Sequence, residues 1–77
     1  MTVNEICKHI TKLKRNTKMT GKSKIIMISG DLHRELGLKN RMPSICRAMY
    51  RSMHENDMIL NETPSGFSST IEIEYNL

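Results

Sequence analysis

Residues 29–53, SGDLHRELGLKNRMPSICRAMYRSM, are the stretch whose folding decides the rest of the chain. Ser29 is a residue type that caps helices, and Asp31 falls where a carboxylate meets the positive end of a helix dipole. Leu32 and Leu36 share one helical face at i, i+4. Gly37 supplies a left-handed stop, and Leu38 can fold back onto the helix end as in a Schellman motif. Pro43 fits only the first turn of the next helix, which is therefore expected to start between Asn40 and Pro43. Met42, Ile45, Cys46, Met49 and Met53 form its apolar stripe, and Asn56 is its expected left-handed terminator. The opposite side carries Asn40, Ser44, Arg47 and Arg51 at i, i+4, i+7 and i+11. The stretch is a short helix, a turn, and a second helix with two faces.

Upstream, Thr2-Val3-Asn4-Glu5 has the T-x-x-E form of a capping box. Val3, Ile6, Cys7, Ile10 and Leu13 then recur at helical spacing through about Arg15, with Lys8, Lys12 and Arg15 on the other side. Asn16 to Ser23 mixes Asn, Thr, Gly and Ser with lysines and is expected to be a mobile connection. Ile25-Ile26-Met27-Ile28 is too brief for a helix and is expected to be a buried strand. Downstream, Met58 to Glu62 and Ser69 to Tyr75 are expected strands, joined by TPSGFS with Pro64 and Gly66 at the turn. Ile71, Ile73 and Tyr75 alternate with Thr70, Glu72 and Glu74, so one face of this hairpin can lie on the helices while the other meets water.

Seventy-seven residues make one domain, 1–77, near the lower size limit for a core without disulfide or metal staples. With one Phe, no Trp and seven Met, the core must be aliphatic and loosely specified, because methionine fills gaps without dictating packing. Cys7 and Cys46 form no CxxC and are too few for a disulfide framework, which suits two reduced, buried thiols. No apolar run approaches ~18 residues and there is no signal-peptide pattern, so a cytoplasmic protein without membrane contact is expected.

The net charge of +4 conceals a strong segregation. Residues 8–24 hold Lys8, Lys12, Lys14, Arg15, Lys18, Lys22 and Lys24 and no acid. All 12 basic residues lie at or before Arg51; beyond it come Glu55, Asp57, Glu62, Glu72 and Glu74 and no base. A basic body beside an acidic hairpin makes a dipole that orients a domain on a polyanion.

A short helix, a Gly-centred turn and a two-faced helix are the layout of a helix-turn-helix. With the flanking elements, Leu32-x-x-x-Leu36-Gly37-Leu38 and the helix that follows, nearly the whole chain resembles the winged-helix family of DNA-binding domains. That resemblance implies an α+β fold of three helices with a three-stranded antiparallel sheet, in the order helix, strand, helix, helix, strand, wing, strand. It also implies a first strand paired beside the last, a third helix in the major groove, and a wing against adjacent backbone. Two departures stand out. The turn after Gly37 is about two residues longer than in the simplest helix-turn-helix proteins, and the wing has no Lys or Arg. Only the hydroxyls of Thr63, Ser65, Ser68 and Ser69 and backbone N–H groups are left there to meet phosphate.

The expected function is sequence-specific binding of double-stranded DNA by a prokaryotic or phage type of regulator, acting in transcription or other DNA targeting. Arg47 suits a bidentate contact to a guanine edge, and Asn40 or Ser44 a base or phosphate contact near the helix start. Arg41 and Arg51 are better placed for phosphate, and Lys39, Lys22 and Lys24 for sequence-blind contacts. Lys18 and Arg34 fall in the same class, and Arg34 can equally pair with Asp31 at i, i+3. Tyr50 borders this basic face. A homodimer reading two half-sites is compatible with the motif. The alternative is a protein-interaction module of the same fold that uses the acidic hairpin; structured RNA is a third partner with the same charge logic. His9, His33 and His54 have no metal-ligand spacing. No nucleophile–base pair, paired carboxylates or phosphate loop supports an enzyme or a cofactor.

Overall fold

In the computed structural model, which describes residues 1–77, the capping box closes as its residue types require. The Thr2 N–H donates to Glu5 Oε1 at 2.8 Å and the Glu5 N–H to the Thr2 hydroxyl at 3.2 Å. These bonds hold the Glu5 carboxyl below its usual range and open helix α1 (Val3–Met19), whose Ile6 and Ile10 are fully buried. The helix runs past Arg15 to Met19, so Asn16–Met19 is helical and not a mobile connection. The first strong breaker is Gly21, at φ +88°.

Strand β1 (Lys24–Ile28) follows, then helices α2 (Ser29–Glu35) and α3 (Met42–Arg51), and strands β2 (Met58–Asn61) and β3 (Glu72–Asn76). The result is an α+β fold of three helices and a three-stranded antiparallel sheet in the order β1-β3-β2. β3 is the middle strand. Its Ile73 and Tyr75 face the helices opposite Met27 and Ile25, while Glu72 and Glu74 face outward. β1 is thus an edge strand and not a buried one: Ile26 shares the outer face with Glu74 and is 52% exposed. β2 is the other edge, every residue of it exposed, with a register irregularity between Ile59 and Asn61. The expected strands shorten accordingly, since residues 62–71 leave the ladder and return over the helices.

Ser29 does not cap α2. β1 runs directly into the helix, Ile28 occupies the cap position without a side-chain bond, and Ser29 is the first helical residue. Its buried hydroxyl donates to the Ser68 carbonyl and accepts the Ile71 N–H at 3.1 Å. The Ser29 and Gly30 N–H groups donate to Ile71 and Ser69 carbonyls, each at 2.9 Å. The returning chain therefore supplies the partners that a capping side chain would.

At the other end of α2 the Schellman motif forms. Gly37 sits at φ +64°, its N–H meets the Arg34 carbonyl at 3.0 Å, and the Leu38 N–H meets the His33 carbonyl at 3.2 Å. α3 then starts at Met42 with Pro43 in its first turn. It ends at Arg51 with Ser52 in a right-handed cap conformation, so Asn56 is not a left-handed terminator. Ile45, Cys46, Ala48 and Met49 of α3 join Ile6, Ile10, Met27, Leu32, Ile71, Ile73 and Tyr75 in one core. No helix is long and apolar enough to cross a membrane.

Two glycines test these junctions. A Cβ at Gly37 meets nothing within 4 Å but forces a side chain into the left-handed region; we expect Gly37→Ala to cost about 1–2 kcal/mol in urea denaturation. At Gly30 helix propensity alone favours alanine, yet a Cβ there would stand 2.7 Å from the Ser69 carbonyl oxygen. Gly30→Ala is expected to destabilise more than Gly37→Ala; a gain in stability would refute the close approach.

Candidate nucleic-acid interface

The outer face of α3 exposes Arg47 and Arg51 and, in part, Ser44. These three lie at i, i+3 and i+7, and one helical face brings them together. Asn40 does not join them. It precedes the helix at φ +52°, in the turn from α2, so the expected four-residue line is broken at its start. Arg41 is the cap residue, its N–H donating to His33 Nε2 at 3.3 Å, and Lys39 lies exposed in the same turn.

Residues 62–71 flank this face on one side. The Tyr50 hydroxyl donates to the Gly66 carbonyl at 2.9 Å, and the Cys46 thiol points to the Ser68 carbonyl at 3.5 Å. Phe67, 41% exposed, lies under Arg47, whose guanidinium carbon is 5.4 Å from the ring centroid. On the other side, Arg51 Nη1 is 3.4 Å from Asn4 Oδ1 of α1. Both arginines have neutral neighbours and neither is in an ion pair, so their charges are not cancelled within the molecule. Lys39 and Arg41 are likewise unpaired, while Arg34 pairs with Asp31 at 3.3 Å.

Lys22 and Lys24 are not on this face. Lys22 is exposed in the turn after α1, and Lys24 is on the outer face of β1, 3.6 Å from Glu74. The main packing of α3 is on α1 and α2. Three of the hydroxyls expected to meet phosphate are engaged within their own loop: Thr63 with Ser65 at 3.2 Å, Ser68 with Thr70 at 3.0 Å, and Ser65 accepting the Phe67 N–H at 3.2 Å.

Two residues with a role here escape a reading of the sequence. Phe67 is one; its only signal is being the lone Phe, set in a turn of Ser and Gly. The other is Lys14, which looks like one more surface lysine. Its ammonium lies 4.3 Å over the Tyr75 ring and donates to the Ser52 carbonyl at 2.7 Å, tying α1 to the end of α3. Burial pulls its pKa down, partly offset by Asp57. Burial likewise pushes up the Cys46 thiol and the Tyr50 phenol. Cys7 and Cys46 are both free. No group of three His, Cys, Asp or Glu side chains comes together to hold a metal.

Asp57 braces the chain between α3 and β2. Its oxygens accept the Asn76 N–H at 2.7 Å and the His54 N–H at 2.8 Å. Burial by itself would raise this carboxyl, but those N–H groups, with Lys14 and His54, outweigh it and leave the pKa lowered. A depressed carboxyl contributes stability in full above the unfolded-chain value of about 4 and loses it as pH falls through the lower native value. We expect Asp57→Asn to reduce stability at neutral pH and to flatten its acid dependence below about pH 4, in denaturation followed across pH. Comparison with protein-family models, with curated proteins and with solved structures finds no match to this chain.

Proposed function

We propose that this protein is a small winged-helix domain that binds double-stranded DNA sequence-specifically through α3, as a transcriptional or other DNA-targeting regulator without catalysis. The observation that carries the reading is the exposed pair Arg47 and Arg51, on one helical face and free of any carboxylate. The element order and the β1-β3-β2 sheet support it, because they are what the resemblance implies.

In this reading the basic first half of the chain captures the polyanion, and α3 then enters the major groove. Phe67 supports the Arg47 guanidinium from one side, which favours one orientation of its fork toward a guanine edge. Ser44 contacts a base or phosphate nearby. Arg51, Arg41 and Lys39 meet phosphates to either side, with Asn40 at the turn. Lys22 and Lys24 add weak, sequence-blind attraction, Lys24 less because Glu74 shares its charge. A homodimer would place two such helices on paired half-sites.

A second reading, a docking module for a basic protein partner, is favoured by the exposed Met58, Ile59 and Leu60 beside Glu62 and Glu72. A band-shift titration at low salt separates the two. We expect a shift with random duplex at micromolar protein, tighter binding to sequences selected from a random pool, and a log–log salt slope of roughly 0.9 per neutralised phosphate. Arg47→Ala is expected to cost about 1–3 kcal/mol and to relax sequence preference, whereas Lys22→Ala weakens all duplexes alike. Absence of any shift would favour the docking module, and preference for structured RNA would redirect the reading to RNA.

A further inference from the structure

Away from the exposed face of α3, a second set of bases surrounds a cleft of about 300 Å³ between the C-terminal half of α1, the turn after α3 and the end of β3. Thr11, Lys14, Arg15 and Lys18 line it from one face of α1, at i, i+3, i+4 and i+7, opposite His54 and Asn76. No acidic side chain lines it, and Leu77 is its one apolar residue. Lys14, Arg15 and Lys18 make no ion pair. The nearest acid, Asp57, reaches His54 Nδ1 at 3.8 Å, but its side chain is 2% exposed and its oxygens already accept two main-chain N–H groups.

Lys14 makes this cleft more than a solvated basic surface. The residue is partly buried, its ammonium lies between the Tyr75 ring and the Ser52 carbonyl, and no carboxylate is within ion-pair distance, Asp57 acting on it from further off. A partly desolvated cation with N–H groups to spare gains more from an anion than an exposed one does. Arg15 adds a fork that matches a tetrahedral oxyanion, and Lys18 and His54 add donors from two further directions. The aliphatic stems of these basic side chains and Leu77 form much of the wall, and their charged ends rim it, so an anionic group is met at the mouth by several donors.

We propose that this cleft binds a phosphate group. The phosphate belongs either to a nucleic-acid backbone passing the end of α3 or to a small phosphorylated ligand. The inference rests on α1 and stands independently of the role proposed for α3.

The test is an amide chemical-shift titration of the full chain with inorganic phosphate, against chloride at matched ionic strength. Saturable shifts confined to Thr11, Arg15, Lys18 and His54 are expected. The double variant Arg15→Gln, Lys18→Gln removes two exposed side chains; it should weaken phosphate binding about tenfold or more with the thermal melt unchanged. Shifts that never saturate, that spread equally over Lys8, Lys12, Lys22 and Lys39, or that survive the double variant would overturn the proposal. A second titration uses duplex DNA. Movement of the same amides, reversed by inorganic phosphate, assigns the phosphate to the nucleic-acid backbone; a duplex that leaves the phosphate-binding amides untouched assigns it to a small ligand. If phosphate saturates the cleft while no duplex binds at all, the cleft stands and the reading of α3 falls.

Discussion

The hydroxyl of Tyr75 holds the arrangement together. It lies on the middle strand, has no exposed surface, and donates to the Met49 carbonyl at 2.6 Å. Burial keeps its phenol well above the ordinary range, so it is a donor at neutral pH. The last carbonyls of a helix have no partners inside it. Here the Met49 carbonyl in the last turn is met by Tyr75 and that of the cap residue Ser52 by Lys14, and the ring of one carries the ammonium of the other. The sheet, α1 and α3 are thereby fixed to one another at a single point. The direction in which α3 presents Arg47 and Arg51 follows from that junction.

What the sequence made legible was local. The capping box, the glycine that stops α2, the proline that bounds the start of α3, and the alternation of Ile71, Ile73 and Tyr75 each depend on residues a few positions apart. The failures involve distant partners or position within the sheet. Ser29 has the composition of a cap, but its partners Ser68 and Ile71 lie some 40 residues on. Ile26 belongs to a wholly apolar run, and only the strand order reveals that its outer face is uncovered. Asn40 continues the spacing of the α3 face, yet the left-handed turn out of α2 takes it off the helix. The role of Lys14 was invisible because nothing in the pattern KLKR distinguishes it from its neighbours.

The same long-range bonds explain why the connection between β2 and β3 is not a free flap. Its Gly66 and Ser68 carbonyls accept from Tyr50 and Cys46 of α3, and its Ser69 and Ile71 carbonyls accept the Gly30 and Ser29 N–H groups in the first turn of α2. Phe67 is in effect part of the α3 surface, although it lies 16 residues beyond the last residue of that helix. A chain with few aromatics thus places its single Phe where an arginine needs a flat, uncharged support.

The irregularity between Ile59 and Asn61 bears on how the molecule behaves in a crowd. Met58, Ile59 and Leu60 form an apolar rim with unpaired backbone groups, the kind of edge on which another extended chain grows by templating. A register break midway along so short a strand bends it and interrupts the row of hydrogen-bonding groups. The rim is left with greasy side chains but without a straight ladder for an incoming β-chain to copy, which disfavours cross-β stacking at that edge.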